Sequence, residues 1–178
     1  GVFAQRFDSK GVFVDNEFQV NDYYLSSEIP EDAITLRDGG WVASFRENGD
    51  ALGQWSDVII KKFDENGDLA VGEFLVNDDT YRNQEDQRLA ELNNTNNDIV
   101  AVWWSDNTTY SGGFTGDILA KIFDKNLNPI TSEFRVNNYS IGNQYNPDIK
   151  ALDDGGFIIT WASNDVHGGG INRVAAQR

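Results

Sequence analysis

Three stretches of this chain carry one phrase. Residues 7–21 read FDSKGVFVDNEFQVN, 63–77 read FDENGDLAVGEFLVN and 123–137 read FDKNLNPITSEFRVN. The spacings are 56 and 60 residues, and the frame around the phrase recurs with it. Fifteen residues beyond each Asn of the Val-Asn pair sits a leucine: Leu36, Leu92 and Leu152. An aromatic residue then closes an apolar run at Phe45, Trp103 and Trp161. Fixed offsets over such distances mark a repeat architecture. One unit cannot bury its own apolar surface, so it must stack on the next.

Within a unit the pattern reads as four short strands. The first covers about 148–152 and leads into Gly155-Gly156, a hairpin signal. The second, 157–161, matches 41–45 and 99–104 and is apolar on consecutive positions, as expected of a strand buried on both faces. The third, 58–63, matches 2–7 and 118–123 and gains charge near its end at Lys61 and Lys62. The fourth, 73–76, alternates and is half-buried. The second unit is longer at 93–98 and between Trp104 and Asp117, which marks both places as loops.

These features predict an all-β fold of tandem four-stranded antiparallel units resembling β-propeller blades, with a linear stack of small sheets as the alternative. The period is too short for an immunoglobulin-like sandwich and too long for a β-helix coil. The units fall at about 1–28 (half a unit), 29–82, 83–142 and 143–178 (incomplete). Ala176-Gln177-Arg178 repeats Ala4-Gln5-Arg6 three periods on. The expectation is therefore a segment of a longer array, or a protomer completed by copies of itself in an oligomer or filament.

Charge narrows the partners. Fourteen Lys and Arg against 29 acidic residues give a net charge of −15, which repels nucleic acid and anionic lipid. The longest apolar run, Ile99–Trp104, is far short of a membrane span. The chain has no cysteine, so disulfides and thiolate metal sites are excluded.

The segments Ala4-Gln5-Arg6-Phe7-Asp8, Glu133-Phe134-Arg135-Val136-Asn137, Asn146-Pro147-Asp148-Ile149-Lys150-Ala151-Leu152 and Asp154-Gly155-Gly156-Phe157 to Trp161 carry a resemblance. Together they resemble a tandem repeat family of large secreted and surface adhesin-like proteins. That family occurs in bacteria, often beside RTX-type calcium-binding modules, and in ciliates. The resemblance implies an extracellular or cell-surface, non-enzymatic module for adhesion or structural assembly. A lectin-like carbohydrate-binding propeller and an accessory propeller of a larger secreted enzyme are the alternatives. The family offers no catalytic residues to carry over. The unit at 83–142 departs from it, lacking the proline and placing Asn97-Asp98 where the others have Gly-Gly.

Candidate chemistry is sparse. Asp64, Asn66 and Asp68 set oxygen ligands at alternate positions, as calcium loops do, but the twelfth position holds Leu75 where an EF-hand needs Glu. The same residues also suit a hairpin turn. Val166-His167-Gly168-Gly169-Gly170 resembles an oxyanion-hole segment, yet no Gly-x-Ser-x-Gly elbow follows it. Trp55 and Tyr110, in the variable loop before the third strand, are candidates for stacking on sugar rings. Asn93, Asn107 and Asn138 begin Asn-x-Ser/Thr triplets, candidate glycosylation sites in a secreted protein. If the Asp64–Asp68 turn binds calcium, millimolar calcium raises the melting temperature and Asp68→Ala abolishes the gain. An unchanged melting curve leaves only the turn.

Overall fold

The computed structural model describes residues 1–22, 27–49, 55–106, 116–139, 142–164 and 173–178. Among them there is no helix. Thirteen strands form four antiparallel sheets. The first sheet pairs β1 (Phe3–Phe7) with β2 (Phe13–Gln19). The second runs β3 (Ser27–Thr35), β4 (Trp41–Asn48), β5 (Ser56–Phe63), β6 (Leu69–Leu75). The third repeats that meander with β7 (Gln84–Glu91), β8 (Ile99–Ser105), β9 (Asp117–Phe123) and the two-residue β10 (Phe134–Arg135). The fourth contains β11 (Gln144–Ala151), β12 (Phe157–Ser163) and β13 (Arg173–Gln177).

The turn after β3, β7 and β11 closes the same way each time. The leucine N–H donates to a carbonyl across the turn, four residues ahead from Leu36 to Gly40 (2.8 Å) and from Leu152 to Gly156 (2.8 Å), and across the longer loop from Leu92 to Asp98 (2.7 Å). The turn needs one left-handed residue. Gly39 (φ 88°) and Gly155 (φ 87°) supply it, and Asn97 (φ 55°) does so in the third sheet, because Asn tolerates that region. The departure at Asn97-Asp98 therefore leaves the hairpin intact.

The structure lengthens the expected first strand. β11 starts at Gln144, four residues before the expected 148, and carries a bulge between Tyr145 and Asp148. β3 and β7 have the matching bulge, after Pro30 and after Glu85. Residues Asp86 (φ 55°) and Asn146 (φ 52°) take the left-handed conformation there. A bulge interrupts period-2 alternation, which hid the early half of the strand from the sequence pattern.

Side chains of successive sheets interdigitate in three apolar layers. Val2, Val20, Ala43, Phe45, Ile59 and Phe63 fill the first. Val42, Val58, Ile60, Ile99, Trp103 and Leu119 are central to the second. Val100, Val102, Ile118, Ile149, Ile159 and Trp161 are central to the third. The middle sheets are thus buried on both faces, as their unbroken apolar runs require. Trp103 is fully buried and Trp161 is 6% exposed. Each indole N–H donates to a buried glutamine, Trp103 to Gln84 and Trp161 to Gln144, both at 3.0 Å. Gln84 and Gln144 stand at matching places one unit apart, so the pair repeats with the sheet.

Truncating Trp103 to Ala leaves a cavity across the layer between the second and third sheets. The expected loss is about 3–5 kcal/mol of unfolding free energy, measured by denaturant titration. Trp103→Phe should cost less, although it strands the Gln84 side chain. A near-neutral Trp103→Ala would be inconsistent with this packing.

Candidate functional site

The polar groups that recur with the sheets gather where each fourth strand ends. The Val-Asn pair of the repeat closes a sheet onto its own third strand. Val20, Val76 and Val136 N–H groups donate to the carbonyls of Val2, Val58 and Ile118 at 2.8–2.9 Å. The next asparagine accepts the N–H of the same partner residue: Val2 to Asn21 Oδ1 (2.7 Å), Val58 to Asn77 (2.8 Å), Ile118 to Asn137 (2.8 Å). The amide nitrogen of Asn77 also donates to Asp57 Oδ1 (2.7 Å), and that of Asn137 to Asp117 Oδ1 (2.6 Å). All three asparagines are buried. At 77 and 137 both amide faces are used, which explains why Asn and not Asp stands there.

The residue after the asparagine reaches forward to the next sheet. Lys61 Nζ on β5 donates to Val20 O (2.7 Å) and to Asp22 Oδ1 (2.5 Å). Lys121 Nζ on β9 donates to Val76 O (3.0 Å) and Asp78 Oδ1 (2.6 Å). Both lysines are buried, at 4% and 6% exposure, although sequence alone reads Lys61 as charge arriving at a strand end. The rings of Phe63 and Phe123 lie 5.9 Å from the two ammonium groups. A glutamate of the next fourth-strand segment completes each cluster. Glu73 Oε1 accepts the Asp22 N–H at 2.5 Å, and Glu133 Oε2 accepts the Asp78 N–H at 3.1 Å. The Lys121 hydrogen bond is the largest influence holding the Asp78 carboxyl below its ordinary range. Burial pushes Glu73 and Glu133 up.

A second tie runs through the turns. Lys62 Nζ donates to Asp38 Oδ2 (2.9 Å) and to Lys125 O in the β9–β10 turn (2.8 Å). The Arg6 guanidinium of the first sheet donates likewise to Asn66 O and to Glu65 O in the β5–β6 turn. Asp64 Oδ1 accepts the N–H groups of Asn66 and Asp68 at 2.9 Å, and Asp8 and Asp124 close their own turns with the same pattern. The Asp64, Asn66 and Asp68 turn thus already carries a cation, Arg6, on its carbonyls. Among the described residues no group of three or more His, Asp or Glu side chains is placed to hold a metal ion.

The other sequence candidates scatter. Trp55 is half-buried just before β5, where its carbonyl accepts Gly49 N–H at 2.9 Å. Tyr110, Asn107 and His167 lie outside the described residues. Asn93 is bonded on both sides of its amide: Oδ1 accepts from Arg37, and Nδ2 donates to Leu152 O at 3.0 Å. Asn138 is exposed and lines a cavity of about 200 Å3 with Gln144, Trp161 and Gln177. Sequence reasoning missed the lysine–aspartate pairs. The signal available was Lys at 61 and 121 recurring with Asp at 22 and 78.

No helix among the described residues is long and apolar enough to cross a membrane. Comparison with protein-family models and with curated proteins finds no match for this chain.

Asn137→Ala leaves the buried Ile118 N–H without its acceptor. The expected cost is about 1–3 kcal/mol in equilibrium unfolding. Burial, the largest influence, raises the Asp117 carboxyl above its ordinary value, and the Asn137 amide opposes the shift. A raised folded pKa gives stability that is complete below the unfolded value of about 3.9 and lost as pH climbs through the folded one. Asp117→Asn should therefore gain on the wild type progressively as pH rises above about 3.9. A pH-independent difference would contradict the assignment.

Proposed function

We propose that this chain is a non-enzymatic, extracellular structural or adhesion module, a run of blade-like sheets in a surface or filamentous assembly. The observation that carries the reading is the repetition of the inter-sheet contacts. The same lysine, aspartate, glutamate and carbonyl recur from one sheet to the next, so the recurring polar residues serve stacking. Ligand chemistry built on those residues would have to give that contact up.

Blade-like packing, in preference to a linear stack, is supported by the first strands. β3, β7 and β11 line one groove of about 530 Å3, with Ala33, Leu89 and Ile149 as matching residues on its wall. Strands that converge on a common axis behave as the innermost strands of propeller blades do. The acidic surface suits a medium where salt or calcium screens self-repulsion.

Light scattering across a concentration series tests assembly. The expected result is species larger than the 19.9 kDa chain that grow with concentration. Saccharide titration followed by tryptophan fluorescence tests the carbohydrate-binding alternative, which needs Trp55 or Tyr110 on a concave surface. A saturable response, with a monomer at all concentrations, would replace the structural reading.

A further inference from the structure

The two lysine–aspartate pairs are placed for more than an ion pair. Lys61 Nζ lies 2.5 Å from Asp22 Oδ1, and Lys121 Nζ lies 2.6 Å from Asp78 Oδ1. Each amine is fixed by a second bond to a backbone carbonyl, Val20 O or Val76 O, and sits beside a phenylalanine ring. The backbone of each aspartate is held by a glutamate carboxylate, Glu73 or Glu133. Amine, carboxyl, glutamate and ring therefore occur together twice, at matching positions one unit apart.

We propose that Lys61 condenses with Asp22, and Lys121 with Asp78, to form side-chain amide bonds that lock each sheet covalently to the next. Glu73 and Glu133 serve as the proton carriers. The step balances without any co-reactant. A proton moves from the ammonium to the carboxylate along the short hydrogen bond, giving an amine and a carboxylic acid with no change in net charge. The amine lone pair attacks Cγ of the aspartate. The glutamate takes a proton from the nitrogen and returns it to the departing hydroxyl, which leaves as water. Three ammonium hydrogens become one amide hydrogen and the two of the water.

Proximity favours the reaction. Holding amine and carbonyl carbon in contact replaces a bimolecular encounter, with effective molarities of about 10⁵–10⁸ M in well-oriented cases. The fourth sheet is a natural contrast. There Gln177 stands at the lysine position and Asn138 at the aspartate position, and the two line a common cavity. Amine and carboxylate are replaced together, so no bond forms at that interface. A chain without cysteine thereby gains covalent ties between its sheets.

Intact mass of the folded, then acid-denatured, 178-residue chain tests this. The expected value is about 36 Da below the sequence mass, about 18 Da for each water lost. Proteolysis should yield one branched peptide joining the segments around Asp22 and Lys61, and another joining those around Asp78 and Lys121. Lys61→Arg should restore one water. Glu73→Gln, which keeps both reacting groups, should restore the same one. The full sequence mass in wild-type protein after days of folded incubation would overturn the proposal. So would a mass deficit that survives replacement of both lysines by arginine. A cross-link that forms unimpaired in Glu73→Gln would overturn the role of the glutamate. None of these readings depends on whether the module assembles or binds sugars.

Discussion

The stack depends on how the chain leaves each fourth strand. Three consecutive residues settle it: valine, asparagine, and a third that is aspartate at 22 and 78. The valine continues the backbone ladder onto its own third strand, and its side chain enters the apolar layer. The asparagine accepts the buried backbone N–H of Val58 or Ile118 on that strand, at a point where the β-ladder no longer can. A buried N–H left without an acceptor costs a desolvation penalty, so this one amide keeps the end of the strand dry. The third residue projects to the neighbouring sheet. Intra-sheet closure and inter-sheet attachment are thus adjacent in sequence, so a frame of fixed offsets can hold while the turns drift.

A buried lysine between two sheets needs explanation, because desolvating an ammonium is expensive. Here its ammonium lies beside a phenylalanine ring and meets a carbonyl and a carboxylate that opens to solvent. Aspartate side chains at 59% and 55% exposure keep part of their hydration, which lowers the cost of the pair. Such a contact also specifies register. A sheet slipped by one residue would bury an ammonium with no acceptor, whereas an all-apolar layer would tolerate the slip. The neutral pair Gln177 and Asn138 shows the position can vary when both partners change together.

Much of this architecture was legible from spacing alone. All-β character, the Gly-Gly hairpins and the burial of Trp103 and Trp161 follow from apolar runs and recurring offsets, because period and turn chemistry are local properties. The early halves of β3, β7 and β11 were not legible, since a bulge breaks alternation without leaving a residue signature. The burial of Lys61 and Lys121 was hidden for another reason. A lysine at a strand end looks solvated until the carboxylate that receives it, about 40 residues earlier in the chain, is known to lie against it. The sequence by itself determined the unit, its strands and the residues that must be inside, because each depends on neighbours along the chain. The tertiary structure alone decided which polar groups meet between sheets, because those contacts join residues that become neighbours only when one sheet packs on the next.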